Sequence, residues 1–143
     1  MMSEAQSFNW LLGSFVRETD GVVHAVAVSS DGLLMAMSEG LDRAGAEHLG
    51  AIVSGVTSLA RSASRHYDFA GLKLVMIEMR RGFLLVSAIS DGSCLGVVAA
   101  GGCDLGLVGH EMAALCDRFG ALLTPRTVTE LKNGVLRRDR ASR

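Results

Sequence analysis

Three apolar stretches, "LKLVMIEM", "FLLVSAIS" and "CLGVVAA", follow one another between residues 72 and 100 with only Arg80-Arg81-Gly82 and Asp91-Gly92 as links. Parallel neighbours need a crossover of roughly a dozen residues or more, so links this short leave only an antiparallel meander. Upstream, "VVHAVAVSS" and "LLMAMSE" flank Ser30-Asp31-Gly32 and read as a further hairpin. Ser-Asp-Gly recurs at residues 90–92, and both copies sit where a turn needs residues tolerant of positive φ. Both are read as turn chemistry.

Helical spacing surrounds these strands. Phe8, Leu11, Leu12, Phe15 and Val16 share one stripe, with Ser7 as the expected cap and Trp10 beside it. Asp42 is placed to cap a long helix through Ala46, Leu49, Ile52, Val53, Val56, Leu59 and Ala63. Gly45, Gly50 and Gly55 each cost that helix about 1 kcal/mol relative to alanine, so they call for a packing reason. Leu105, Val108, Met112, Leu115, Cys116 and Phe119 mark a third helix, expected to end near Gly120. The order is αββαβββα, an α+β domain in which one five-stranded antiparallel sheet is covered on both faces. A chain of 143 residues, 49% of them hydrophobic, fits one compact domain with an ample core.

Composition excludes several functions. The formal net charge of −1 offers no global positive field to gather nucleic acid or anionic lipid. Three cysteines without CxxC spacing suit reduced thiols, and Cys94 and Cys103, in apolar or small-residue sequence, read as structural. His24, His48, His66 and His110 are scattered singly, so no metal site is expected. The start, "MMSEAQSFNWLLG", lacks a basic leader, and no uninterrupted apolar run reaches the roughly 18 residues of a spanning helix; a soluble, cytoplasmic protein is expected.

The glycine-rich stretch after the last strand is no phosphate loop. No lysine or arginine occurs from residue 82 to 117, and GxGxxG is absent. Gly101 and Gly102 are read as the turn into the third helix. No catalytic residue and no cofactor is therefore assigned. Arg80 and Arg81 read as a charged hairpin tip in preference to an arginine finger.

Pro125 separates residues 1–123, the expected domain, from a basic tail, 124–143. Six basic residues, Arg126, Lys132, Arg137, Arg138, Arg140 and Arg143, against Glu130 and Asp139 give the tail +4 and leave −5 elsewhere. Val128, Leu131 and Val135 form a weak helical stripe. The tail is expected to dock on a partner and not on its own domain, so deleting it should leave the fold intact.

With this order in hand, "FNWLLGSFVRETDGVVHAVAVSSDGLLMAMSEG", "MRRGFLLVSAISDGSCLGVVA" and "LVGHEMAAL" together resemble the Roadblock (dynein light chain) superfamily over residues 7–124, notably its bacterial conservon-type members. The resemblance implies a protein that is not an enzyme by itself, forms a homodimer and binds a small Ras-like GTPase, with modulation of GTP hydrolysis or scaffolding in some relatives. For the conservon type it implies a neighbouring sensor histidine kinase and signalling at the inner membrane face, without direct membrane insertion. It also implies a dimer surface on residues 42–66 and 72–79, giving Leu49, Ile52, Val53, Val56, Lys73, Val75 and Ile77 as interface candidates. There the helix glycines would let two-fold mates approach closely. The superfamily shares no universal catalytic residue, so Arg80 and Arg81, with Arg137 and Arg138, are candidates for partner docking only. Two other readings compete with the adaptor: a small-molecule sensor using a pocket between sheet and helices, with Cys94, and a purely structural scaffold subunit.

Overall fold

The structure is a computed structural model that describes residues 1–141, with side chains described through Arg137; Arg138, Arg140 and Arg143 lie outside the described side chains. The elements are α1 (Glu4–Glu18), β1 (Val22–Val28), β2 (Leu34–Met37), α2 (Arg43–His66), β3 (Leu74–Met79), β4 (Gly82–Ala88), β5 (Cys94–Ala100), α3 (Leu105–Leu122) and α4 (Pro125–Ala141). The strands form one antiparallel sheet in the order β2-β1-β5-β4-β3. This is the expected α+β architecture. The central strand, β5, arrives last and joins the two hairpins, pairing Val28 with Cys94 on one side and Ala88 with Cys94 on the other.

Two apolar layers hold the sheet. On one face α1 and α3 bury Phe8, Leu12, Val108, Met112 and Phe119 against Ala25, Leu85, Leu95 and Val97. Phe8 and Phe119 stack there with ring centroids 3.9 Å apart. On the other face α2 lays Ala46 and Val53 over Val26, Val28 and Val86.

Local chemistry sets the helix starts. Asp42 caps α2 as expected, its carboxylate accepting from the Gly45 amide at 2.7 Å. α1 begins earlier than the apolar stripe suggested. Ser3 is its cap, in a capping box: the Gln6 amide donates to Ser3 Oγ at 3.1 Å and the Ser3 amide to Gln6 Oε1 at 2.9 Å. Ser7 lies inside the first turns. α3 runs past Gly120 to Leu122, and a Cβ on Gly120 would stand 2.6 Å from Ser90 Oγ. That glycine admits the β4–β5 turn and does not end the helix.

The tail expectation is overturned. Residues 125–141 form α4, which packs on β2 and α1 and buries Leu131 and Val135 to 2% and 6% exposure. Thr127 Oγ1 donates to Glu4 Oε2 at 2.7 Å, Lys132 Nζ reaches Asp31 Oδ2 at 3.0 Å, and Arg43 Nη1 donates to the Val135 carbonyl at 3.2 Å. The apolar stripe decides this: covering two such side chains is worth about 1.5–3 kcal/mol each, more than exposed charge pairs supply. The expected boundary at 123/124 falls between α3 and α4.

Candidate functional site

The sheet has two edges of different character. β2 is flanked by α4, whereas β3, among the described residues, pairs with β4 alone, through Val75↔Val86 and Ile77↔Leu84, and has no strand on its other side. Val75 and Ile77 alternate toward α2 and are half-buried against its cluster with Leu49 and Val56. Leu74 and Met76, on the opposite face of β3, are 45% and 48% exposed. On α2, Ile52 and Leu59 are 40% and 75% exposed on the side away from the sheet contact. Lys73 is exposed beside the strand. The structure therefore brings six of the seven interface candidates to one margin of the molecule.

Val53 is the exception. It is fully buried over Gly96, where an added Cβ would stand 2.4 Å from Val53 Cγ2, and it offers no surface to a second copy. The helix glycines also divide. Gly50 is buried against its own sheet, with Leu34 Cδ1 and Val28 Cγ2 3.6 and 3.7 Å from where its Cβ would be, so its packing reason lies within the protomer. Gly45 lies against Asp42 Oδ1, and only Gly55 faces open space.

One part of this margin went unassigned in the sequence. Between α2 and β3 the chain turns through Asp68 and Ala70, both at positive φ (56° and 66°). The turn is pinned by the Phe69 amide to the Ser64 carbonyl and the Gly71 amide to Ser64 Oγ, both at 2.8 Å. It displays Tyr67 and Phe69, 64% and 71% exposed, with centroids 5.7 Å apart. "YDFAG" contained the signal: two aromatics in a polar link.

Arg80 and Arg81 form the two-residue tip between β3 and β4, both exposed. Gly101 passes close beneath, its amide donating to the Arg81 carbonyl at 3.1 Å, so the glycine serves this approach. Arg137 is exposed near the end of α4, remote in sequence from that tip. Cys94 is buried against Thr57, and Cys116 is buried in the opposite layer, where desolvation pushes its thiol above the ordinary range. Among the described residues no group of His, Cys, Asp or Glu could hold a metal, and no helix is long and apolar enough to cross a membrane.

A family model described as the Roadblock/LC7 domain matches residues 8–99. No curated protein matches in sequence. Among solved structures, a Roadblock/LC7 domain from Streptomyces avermitilis is 35% identical, with TM-score 0.72 over 77% of this chain and 92% of that one. Myxococcus xanthus MglB (13% identity, TM-score 0.75, 81% and 94% covered) and the gliding protein MglB of Thermus thermophilus (17%, 0.75, 85% and 92%) share the fold. The matched span runs from α1 to the end of β5 and takes in the open edge, α2 and both hairpins, and with it the chain belongs to the Roadblock/LC7 domain family.

Proposed function

We propose that this protein is a non-enzymatic regulatory adaptor, which homodimerises through β3 and α2 and presents the joined surface to a small Ras-like GTPase in a signalling complex. One observation carries the reading: β3 has an unpaired edge with Leu74 and Met76 exposed on one face, and α2 over its other face exposes Ile52 and Leu59, while the other edge of the sheet is flanked by the chain's own α4. Unpaired strand groups beside exposed apolar side chains are rarely left uncovered, and pairing across a two-fold axis hides both. Family membership supports a GTPase as partner, and the resemblance to conservon-type members supports a sensor kinase complex as its setting. Catalysis is left to the partner.

The test has two stages. Light scattering of the purified chain should give twice 15.1 kDa at micromolar concentration. The dimer should then co-purify with its cognate GTPase in a nucleotide-dependent manner. A strictly monomeric mass defeats the interface, and equal, negligible capture in both nucleotide states defeats the partner.

A further inference from the structure

We propose that the hollow between the two Ser-Asp-Gly turns and the second half of α2 is a binding site for a small phosphate-class oxyanion. Strand pairing places both turns at one end of the sheet, where a Cβ on Gly92 would lie 3.3 Å from Ser30 Cβ. α2 crosses above them and forms with them a solvent-open hollow of about 300 Å³, to which it contributes Ser54, Thr57, Ser58, Arg61 and Arg65. Small-ligand pockets begin at about this volume, so the occupant is inorganic phosphate or a compact phosphomonoester.

The lining is built of donors. Arg61 is fixed in place by Nη2, which donates to the Gly92 carbonyl at 2.9 Å. Its Nε and Nη1 groups make no hydrogen bond among the described residues, leaving part of the guanidinium fork free. Arg65 follows one helical turn later, and neither arginine forms an ion pair among the described residues. Two such guanidinium groups suit the multiple acceptor oxygens of a phosphate.

An orphan hydroxyl supplies the independent sign. Ser54 Oγ is buried in the cavity wall without a hydrogen-bond partner, a state that costs about 1–3 kcal/mol unless something answers it. Gly32, whose φ of 85° calls for glycine, lies on the facing wall, where an added Cβ would stand in ordinary contact, 3.5 Å from that oxygen. Asp31 is the carboxylate among the lining residues, and it is occupied by the Ser29 hydroxyl and by Lys132. Asp68 lines a neighbouring hollow that shares the two arginines. The balance of charge at the cavity is positive.

Ser54, Arg61 and Arg65 lie on the side of α2 opposite Ile52 and Leu59, so the cavity stays open whether or not the β3 margin is covered, and this assignment stands or falls apart from the adaptor reading. The test is titration of inorganic phosphate into the full-length protein at constant ionic strength, with chloride as reference, followed by amide chemical shifts. Saturable shifts are expected at Ser54, Arg61 and Gly92. Arg65→Gln, at an exposed position, should weaken the affinity by about tenfold. Ser54→Ala should weaken it less, and Arg137→Gln on α4 should leave it unchanged. No saturable response beyond that of chloride overturns the assignment, as does a response that survives both Arg65→Gln and Ser54→Ala.

Discussion

The β2 and β3 edges belong to one sheet, yet the chain treats them differently. β2 is four residues long and has α4 packed on it; β3 is six residues long, apolar on both faces apart from Glu78, and unpaired on its outer side among the described residues. Shortening an edge and covering it are two ways in which proteins prevent unwanted strand pairing. Finding both at β2 and neither at β3 indicates that pairing is blocked on one side and left available on the other. The C-terminal helix thus covers β2, in place of the outward docking that its charge suggested.

The largest effect should come from undoing that asymmetry. Ending the chain at Thr124 removes Leu131 and Val135 from the core and exposes Met35 and Ala36, which they help cover. Losing those two side chains alone should cost about 3–6 kcal/mol as an upper estimate, read as a marked fall in melting temperature. An unchanged melt would mean that α4 contributes nothing to stability.

At the other edge the effect should fall on association. Ile52→Lys places a charge on an already exposed position, so the protomer should keep its melting behaviour while the dimer dissociation constant rises by at least about tenfold. Val75→Lys tests the strand itself at some cost to the half-buried layer under α2. If both variants retain the full dimeric mass, β3 and α2 are not the contact.

The smallest effect sits where α4 meets the β1–β2 turn. Asp31 is held below the usual carboxylate range first by the Ser29 hydroxyl and then by Lys132. A depressed folded-state value means that the contribution is present above the ordinary pKa and is lost as pH falls through the lower one. Lys132→Met should move the Asp31 titration partway up, with the Ser29 bond still acting. Carboxyl chemical shifts across the acid range would show it, and an unmoved titration would mean the pair is idle in solution.

The contrast between edges was half legible in the sequence. Tight links forced the meander, and the spacing of Ala46, Leu49, Ile52, Val53, Val56 and Leu59 identified a long helix. Which side meets the sheet is not a local property, and Val53, adjacent to Ile52, went to the core. The Ser3-x-x-Gln6 capping box is legible in the sequence, but Ser7 stands directly before the apolar stripe that begins at Phe8 and has equal cap chemistry. In α4 the Val128, Leu131, Val135 stripe was visible and its covering surface was not, because β2 and α1 lie some ninety or more residues earlier. The anion cavity was hidden for a similar reason. Each Ser-Asp-Gly turn is legible alone, but their proximity depends on β1 pairing with β5, and the free hydroxyl of Ser54 depends on where α2 crosses them.

The late arrival of β5 bears on how the chain is made. β1–β2 and β3–β4 can each close as local hairpins, but neither pairs directly with the other; both wait for the strand beginning at Cys94. At roughly 5–20 residues per second on the ribosome, the interval between Val28 and Cys94 lasts on the order of seconds, long compared with the microseconds in which a hairpin forms. Until Cys94 emerges the inner edge of β1 has no strand to pair with, and α2, once made, has no continuous sheet beneath it. The strand order thus makes the last strand the one that joins two separate hairpins into a single sheet.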